Sequence, residues 1–582
     1  MAKNISKIYS RKSTQFIIVI LISTLTFLLL FTLRTASQTP DSLSYAYKAK
    51  TGIKMFHPHH LFYVPITHAI FLGLSYFCKS SDAILAGQIH NIIWAIITIL
   101  SIYFIVRHLL SSNLWGLIAS VSLLITQGFW IYSTQFEVYI PALGVLSIIL
   151  AILIVRTDSK LSFKSVIIIS LLLALSIFYH QTNILFCIPL IYYLMATQGK
   201  QRYKVLGAVL LITGLTVLGV YISVFLHTKA RLGFNSFLHY CLTYTFAPDP
   251  DWGNWHNISL FGVANLIRSQ LWNLIALPSN SSNVPLYVFG SILGGLFIWN
   301  IIKIYHHKIY QRIRSFLLIW IIIYFAFFLW WLPIEIEFFI ITLLPIILLS
   351  FITINDVLIK LSHSRILKII SVSILAIFML VAAKLNFARS FLPRHRYKCL
   401  AFNRALRINK IAPEECIIGT DNEGAKNLLY YCNRKVTLVM RNPLLYCYQS
   451  KIFPYSYKVY KKKCIFAYLK YVKPDYTVIR TKFNGYNYPL QWLEYIKWLF
   501  NVERDSNNNL ITCRNFEIVA TDRESLFIHL FPSKRKLGSL NNLFQIMDDQ
   551  INNLTADQEK PFQKWLSVAE PNIKLQGDDT LF

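Results

Sequence analysis

The chain has 582 residues, of which 55% are hydrophobic and only 14% are charged, and its mean hydropathy is +0.48. Soluble proteins carry about 25% charged residues, so this composition excludes an ordinary soluble enzyme. Lys and Arg number 57 against 27 Asp and Glu, which gives a net charge of +30. Many of these cations flank apolar segments, as the positive-inside bias requires, and others suit lipid headgroups or phosphates. Nucleic acid is therefore not an expected partner.

The first apolar segment, Phe16–Leu33, follows four basic residues. It is long for a signal-peptide core and no small-x-small cleavage site precedes Asp41, which predicts a retained membrane helix with a cytoplasmic N-terminus. Further apolar segments have about the length needed to cross a bilayer core of roughly 30 Å. The eleven predicted spans are 15–34, 83–106, 114–133, 138–155, 165–179, 183–197, 205–226, 284–302, 315–332, 335–354 and 366–384.

The basic loops set the predicted topology. Loops 156–164, 200–204, 303–314 and 360–368 should all lie on the side of the N-terminus, and eleven spans place them there. The apolar run 61–78 would break this parity if it crossed the membrane. It is therefore predicted as an interfacial or re-entrant helix on the outer face.

The same parity gathers the unusual polar residues on the outer face. They lie in the loop 35–82, the turn at Glu137, the polar break at His180, the aromatic loop 227–283, and the pair Glu335 and Glu337. Ionisable groups at membrane level are rare, so their collection on one side predicts a functional site there.

From residue 385 the pattern changes to short strands alternating with helical composition, which predicts a small α/β domain outside the cytoplasm. The predicted strands are 416–420, 436–440, 475–480 and 516–520, with a helix at 422–431. The chain thus divides into a membrane domain at 1–384, an extracytoplasmic α/β domain at 385–535 and a polar tail at 536–582.

Six of the nine cysteines lie in this C-terminal segment: Cys399, Cys416, Cys432, Cys447, Cys464 and Cys513. No CxxC pair occurs among them, so a zinc site is not expected. The sequence does not decide whether these cysteines form disulfides or remain free buried thiols. If they form disulfides, six cysteines allow 15 pairings.

Asp41 is the first candidate catalytic acid. The alternative interpretation is that its side chain only caps the helix that follows. His57-Pro58-His59-His60 lacks the helix-spaced ligand pair of zinc enzymes, so its imidazoles are predicted to donate to a phosphate and not to bind a metal. Glu137 is a second acid in a short turn between two spans. Glu335 and Glu337 either join the site or mark the outer membrane boundary. No metal or other cofactor is expected.

Taken in order, these motifs resemble polyprenyl-phosphate-sugar-dependent glycosyltransferases of the GT-C fold, and within them the protein O-mannosyltransferase-like group. In that group an Asp opens the first outer loop and a His-Pro pair precedes an aromatic helix, as Asp41 and His57-Pro58 do here. An Asn follows in the next span, matched by Asn91.

Further along the chain, Phe129-Trp130 and Glu137-Val138-Tyr139 match the Phe-Trp and Glu-Val-Tyr of that group. His180 and Asn183 match its polar break before a Pro-bearing span. The sequence departs from the group where His59-His60 replaces Pro-Gly, and Asp41 has no acidic neighbour. Both departures leave the identity of the sugar open.

The resemblance implies an all-α, polytopic, GT-C-like domain of about 11 transmembrane helices with the C-terminal α/β domain on the outer side. It implies a hexosyltransferase, mannosyltransferase-like, that moves a sugar from a polyprenyl-phosphate donor to an acceptor hydroxyl on a protein, glycan or lipid. The reaction would invert the anomeric centre at the outer face of a bacterial inner membrane. Asp41 would be the base, and Glu137 would orient the acceptor or the sugar. The substrate-binding residues would be Tyr45, His57, His59, His60, Asn91, Tyr139, His180, Asn183, Glu335 and Glu337.

Three other functions stay open on the sequence. A transporter or lipid flippase is expected to show two related halves with paired broken helices, and no internal repeat is visible. An O-antigen polymerase or ligase is expected to use several arginines of a large outer loop, but loop 227–283 contains only Arg231 and Arg268. A non-catalytic scaffold would not need the pair Asp41 and Glu137.

Overall fold

The computed structural model describes residues 2–79, 82–155, 161–228, 234–242, 253–276, 284–306, 308–360, 365–395 and 398–399, residues 402–403, 405–406 and 410, and the strands given below. The chain forms two compact units, Met1–Cys399 and Leu400–Phe582.

The described part of the first unit is helical. Its α-helices are α1 Ala2–Thr32, α2 Pro40–Thr51, α3 Tyr63–Cys78, α4 Ala83–Leu110, α5 Asn113–Leu124, α6 Gln127–Thr134, α7 Tyr139–Val155, α8 Phe163–Tyr179, α9 Cys187–Thr197, α10 Arg202–Thr228, α11 Phe234–Cys241, α12 Leu260–Leu274, α13 Val284–His306, α14 Lys308–Trp331, α15 Ile340–Lys360, α16 Arg365–Asn386 and α17 Leu392–Arg394. Short 3-10 helices cover Gln181–Phe186, Gly199–Gln201, Trp255–Asn257 and Ile336–Phe339, and a π-helical turn covers Phe387–Phe391.

The eleven predicted spans all fall on helical segments. Among the described residues, seven segments are long and apolar enough to cross a membrane: Thr14–Thr32, Ala83–Leu110, Gly199–Thr228, Tyr287–Ile304, Tyr310–Trp331, Ile336–Lys360 and Val372–Arg394. The predicted spans near 138–155, 165–179 and 183–197 are shorter apolar helices. The run 61–78 is also a short apolar helix, α3, and its position at the membrane surface stays a prediction.

The predicted span 114–133 differs from the prediction, because it consists of two helices, α5 and α6, bent by 69°. The break falls at Thr126, whose backbone is extended and whose hydroxyl donates to the carbonyl of Leu123 at 2.8 Å. A threonine that bonds back to its own chain competes with the helix ladder. The bend turns α6 and the following turn 135–138 toward the first loop.

Helix α4 lies at the centre of the first unit, where it packs against α1, α2, α3, α5, α6, α7 and α15. Close approach depends on small residues, as is usual between membrane helices. Gly87 of α4 faces the ring of Phe136 with no room for a Cβ, and Gly144 of α7 lies in the same way on Trp94. The polar side chains of α4 therefore reach the turn that carries Glu137.

A buried ion pair joins the ends of three helices at the opposite end of the bundle from the Glu335–Glu337 turn. The Arg314 guanidinium on α14 donates to Asp356 of α15 at 2.6 Å and to Asn300 of α13 at 2.6 Å. Arg314 has no exposed surface and Asp356 is 7% exposed. Removing one partner of such a pair would leave an uncompensated buried charge and would therefore be strongly destabilising.

The second unit contains a five-stranded mixed sheet in the order β2-β1-β3-β7-β6 and a separate hairpin of β4 and β5. The strands are β1 Ile417–Asp421, β2 Lys435–Met440, β3 Tyr476–Arg480, β4 Val502–Arg504, β5 Leu510–Thr512, β6 Arg514–Thr521 and β7 Ser525–Pro532. Strand β1 is parallel to β2 and β3, whereas β7 is antiparallel to both its neighbours.

The four predicted strands are therefore present. The predicted helix 422–431, the tail 536–582 and the C-terminal cysteines other than Cys399 lie outside the described residues. Helix α16 continues to Asn386, and residues up to Cys399 belong to the first unit, within which Thr35 forms a β-bridge to His395. The partition at 385 and 536 stays a prediction.

Candidate functional site

Helix α2 presents Asp41 at the start of the loop that follows α1. The helix is capped by Thr39, whose hydroxyl accepts from the Ser42 backbone N–H at 2.9 Å, and Pro40 opens the first turn. Asp41 follows in that turn with an exposed side chain. The capping alternative for Asp41 is thus wrong, because the cap oxygen belongs to Thr39. Its carboxylate lies in the first turn, where the positive end of the helix dipole favours a negative charge.

Glu137 holds the same helix end from the other side. Its Oε1 receives the Ser42 hydroxyl at 2.9 Å and also the hydroxyl of Thr39. Glu137 is 3% exposed and Ser42 is fully buried. The two hydroxyls that flank Asp41 in sequence therefore attach its helix to the Glu137 turn.

Backbone groups extend this attachment along the loop. The Gln135 side chain donates to the carbonyl of Ser37 at 3.0 Å, and the backbone N–H of Phe136 donates to the Gln38 side chain at 3.2 Å. Gln88 of α4 donates to the carbonyl of Thr35 at 2.8 Å and to that of Thr134 at 2.7 Å. Segment 35–42 and turn 134–137 are thus one hydrogen-bonded assembly.

Asn91 of α4 organises this turn. Its amide donates to the carbonyls of Tyr132, Gln135 and Glu137 at 2.7–3.0 Å, and its oxygen accepts from the Tyr63 hydroxyl at 3.1 Å. It has no exposed surface. These contacts favour a structural role over the predicted substrate contact.

Asn183 is placed in a similar way at the break after α8. It is 1% exposed, donates to the carbonyl of Ser176 at 3.1 Å and accepts from the Tyr324 hydroxyl at 3.3 Å. Its contacts also favour a structural role. Tyr45 is 8% exposed, and its ring lies edge-on against His60 and Tyr63.

The turn before α15 brings the third and fourth acids to the same place. Glu337 accepts from the Tyr139 hydroxyl at 2.7 Å, and Glu335 is exposed beside it. Helix α12 holds this segment, because Ser269 donates to the carbonyl of Pro333 and Asn273 to that of Ile336.

The four acids share one electrostatic environment. Burial raises the pKa of Glu137 well above its usual range, and the charges of Glu337 and Asp41 raise it further. Glu335 reaches the surface, but its partial burial also raises its pKa, again with the charge of Asp41 adding to the effect. The negative charges of these carboxylates repel one another, so a bound proton or another positive charge stabilises the cluster of four acids.

The imidazoles form a second cluster beside the acids. The ring of His57 lies 5.4 Å from that of His60 and 5.5 Å from that of His59, and the rings of His60 and His180 are 4.9 Å apart. His180 also lies 5.3 Å from Tyr139, the residue that donates to Glu337. The cluster therefore borders the acids through Tyr139.

Burial keeps these imidazoles neutral. It lowers the pKa of His57 to about 3, of His59 to about 4 and of His180 to about 3, and that of His60 well below its usual value. A neutral imidazole donates one hydrogen bond and accepts one. In the described part of the chain, no group of three His, Cys, Asp or Glu residues has the geometry to hold a metal ion.

Several residues of the site were missed from the sequence. Three of them hold the loop and the Glu137 turn together by hydrogen bonds but are common residue types outside any motif: Thr39, Ser42 and Gln88. Arg394 places a cation here, since its carbonyl accepts from Ala36 N at 2.7 Å and its charge acts on Tyr132. The sequence signal that could have indicated Arg394 is its position as a basic residue shortly after the last predicted span, 366–384.

The structure is similar to crystal structures of ArnT from Cupriavidus metallidurans. The apo state matches with a TM-score of 0.55 at 10% identity, and the undecaprenyl-phosphate complex with 0.52 at 11% identity, each over 89% of this chain and 98% of that chain. A weaker likeness is to the archaeal oligosaccharyltransferase AglB from Archaeoglobus fulgidus in complex with an inhibitory peptide and a dolichol-phosphate, with a TM-score of 0.45 at 12% identity over 88% of this chain and 76% of that chain.

No sequence profile of a known protein family matches the chain, and no curated protein sequence matches it. Identities near 10% show the fold alone, and the two ArnT structures, with TM-scores above 0.5, carry that inference. ArnT has the GT-C fold. This chain is therefore a multi-pass integral membrane protein with the GT-C fold, as the motifs of its sequence predict.

Proposed function

We propose that this protein is a glycosyltransferase that moves a sugar from a polyprenyl-phosphate donor to an acceptor hydroxyl. The observation that carries the proposal is the attachment of the Asp41 helix to the Glu137 turn within a GT-C fold. The undecaprenyl phosphate bound to ArnT supports a lipid-phosphate donor.

In the proposed reaction the Asp41 carboxylate takes the proton of the acceptor hydroxyl. The acceptor oxygen forms a bond to the anomeric carbon while the bond from that carbon to the phosphate oxygen breaks. The bonding electrons leave with the polyprenyl phosphate, and a single displacement inverts the anomeric centre. Asp41 suits this role because its side chain is exposed while its helix is fixed.

The other residues divide between the two substrates. Glu137 and the pair Glu335 and Glu337 orient hydroxyls of the sugar or the acceptor. Charge develops on the phosphate oxygen as the bond breaks, and donors fixed in advance stabilise it. The neutral imidazoles of His57 and His60 and the guanidinium of Arg394 supply such donors.

The localisation belongs to the same proposal. The basic loops favour an outer-face site in a bacterial inner membrane, with the C-terminal unit on that side as well. Acceptors of the proposed reaction are the hydroxyls of a protein, a glycan or a lipid. The donor tail enters from the bilayer, which accounts for an enzyme embedded in it.

Replacing Asp41 by Asn tests the proposed base. Asp41→Asn keeps the shape of the side chain but removes its basicity, and we expect transfer to fall about 10²–10⁴-fold while binding of the donor lipid persists. The measurement is sugar transfer from a polyprenyl-phosphate donor by purified protein. Asp82→Asn is the matched control, because Asp82 caps α4 by accepting from Ile84 N at 2.9 Å and Asn can replace that cap. Near-normal transfer by Asp41→Asn would remove the proposed base.

A further inference from the structure

A second charged site lies at the far end of α14 from the acids. Arg314 and Trp331 are separated by 17 positions of this helix, which corresponds to roughly 25 Å. Next to the Arg314–Asp356 pair, the Lys303 ammonium lies 5.3 Å from the centre of the Trp299 indole, and the Lys360 ammonium lies 4.9 Å from the same ring. Two cations from α13 and α15 therefore converge on one side chain.

The charges at this place do not balance. Sequences 299–314 and 353–368 contain a single acid, Asp356, and it already accepts from the buried Arg314 guanidinium at 2.6 Å. The Trp299 N–H also points to Asp356, at 3.4 Å. Within the described residues, neither Lys303 nor Lys360 has a carboxylate within ion-pair distance. The two ammonium groups thus leave an excess of positive charge.

The burial of Lys303 separates this pair from ordinary basic residues of a membrane loop. Lys303 is 8% exposed, whereas Lys200 and Lys204, which face solvent after α9, are exposed. A buried ammonium is costly unless an anion or an aromatic face compensates it. One indole shared by two cations gives only part of that compensation.

The surroundings are apolar and face outward. Ile298 and Ile302 on α13 are 60% and 51% exposed, and Ile359 on α15 is 61% exposed. These side chains lie on the same two helices as Lys303 and Lys360, at positions that meet acyl chains in a bilayer. A ligand here would therefore combine a negative headgroup with apolar tails.

We propose that Lys303, Lys360 and Trp299 form a binding site for the phosphate headgroup of an anionic lipid. The two ammonium groups bind the phosphate oxygens, and the indole holds both cations at the interface. The site lies across the membrane from the proposed reaction, facing the cytoplasm in the proposed topology. Basic pockets between transmembrane helices on that side are suited to anionic headgroups.

The test uses purified, delipidated full-length protein in a neutral detergent. Short-chain phosphatidylglycerol, short-chain phosphatidylcholine and inorganic phosphate are titrated separately, and the unfolding temperature is followed, since a ligand of the folded state raises it. We expect a saturable rise with phosphatidylglycerol only. In Lys303→Gln/Lys360→Gln the half-saturating concentration should increase at least about tenfold, because each basic residue contributes about 1 kcal/mol.

Lys200→Gln/Lys204→Gln is the control, and it should respond as the unaltered protein does. Lys360→Gln alone changes an exposed residue, so it gives the answer if the double variant does not fold. Equal responses in the unaltered protein and in Lys360→Gln, or an equal rise with phosphatidylcholine, would overturn the site. An equal rise with inorganic phosphate would overturn the lipid as the ligand.

Discussion

A single oxygen of Glu137 receives two hydroxyl groups, and that contact connects the two acids most important to the site. The donors Thr39 and Ser42 lie on either side of Asp41, so the position of the exposed acid depends on the buried one. Glu137 thus has a mechanical task in addition to any contact with substrate. A loss of one hydroxyl should weaken both the fold and the reaction.

Ser42→Ala tests this connection. The substitution leaves the buried carboxylate with one hydroxyl donor, and a lost hydrogen bond to such a group costs about 1–3 kcal/mol. We expect a lower unfolding temperature and a fall in transfer smaller than that of Asp41→Asn, measured on the same preparations. Ser223→Ala is the control, because that hydroxyl only bonds back to the Gly219 carbonyl on an exposed helix face. Equal effects of the two substitutions would argue against the connection.

The acids of the site could be predicted from the sequence, whereas its hydroxyls could not. Asp41 and Glu137 stand out because charged residues between apolar spans are rare. Thr39 and Ser42 look in the sequence like ordinary residues at the start of a helix, and their role follows only from their contact with an acid 98 and 95 positions away. Asn91 was predicted as a ligand from its place in a motif, but its four contacts inside the protein became visible only with the fold.

The length of each apolar segment was enough to predict that a helix forms there. Bends and 3-10 turns within these helices depend on local backbone contacts and were harder to predict. The bend between α5 and α6 was missed because one threonine within an apolar run reads as an ordinary span residue. The polar break at His180 was predicted, but the 3-10 helices that begin at Gln181 and at Ile336 were not. These irregular points matter because each lies beside a candidate site residue.

Gly128→Ala tests whether the bend positions the acids. Gly128 of α6 lies so close to the Asn273 side chain of α12 that a Cβ has no room, and Asn273 holds the carbonyl of Ile336 next to Glu337. Overpacking costs about 1–3 kcal/mol, so we expect a lower unfolding temperature and reduced transfer. In the control Gly214→Ala nothing lies within 4 Å of the new Cβ, and neither quantity should fall. An unchanged Gly128→Ala enzyme would contradict this role of α6.

For the molecule as a whole, the distribution of basic residues predicts which face carries the site. The structure places the Asp41 loop, the Glu137 turn and the Glu335–Glu337 turn together, and it places Arg314 and Lys360 at the other ends of α14 and α15. The separation agrees with the parity of the loops. It could be predicted because charge bias acts on whole spans and does not depend on detailed packing.

Cysteine labelling on intact cells measures this topology. In a background in which all nine native cysteines are replaced by Ser, Trp255→Cys should react with an impermeant reagent because residue 255 is 76% exposed beside Trp330. Lys200→Cys, on the opposite face, should react only after permeabilisation. Labelling of Lys200→Cys from outside would reverse the proposed orientation.

The hydrogen bonds between the loop after α1 and the carbonyl of Arg394 have a consequence for the order in which the protein is synthesised and folds. The Thr35 hydroxyl and the Ala36 backbone N–H both donate to the carbonyl of Arg394, about 359 positions later in the chain. At 5–20 residues per second, the ribosome needs roughly 20–70 s to reach that partner after the loop has been synthesised. During this interval the backbone N–H of Ala36 lacks its later partner, whereas the carbonyls of Thr35 and Ser37 can already accept from Gln88 and Gln135. The loop that is synthesised first therefore gains these two hydrogen bonds only after the last membrane helix has been made.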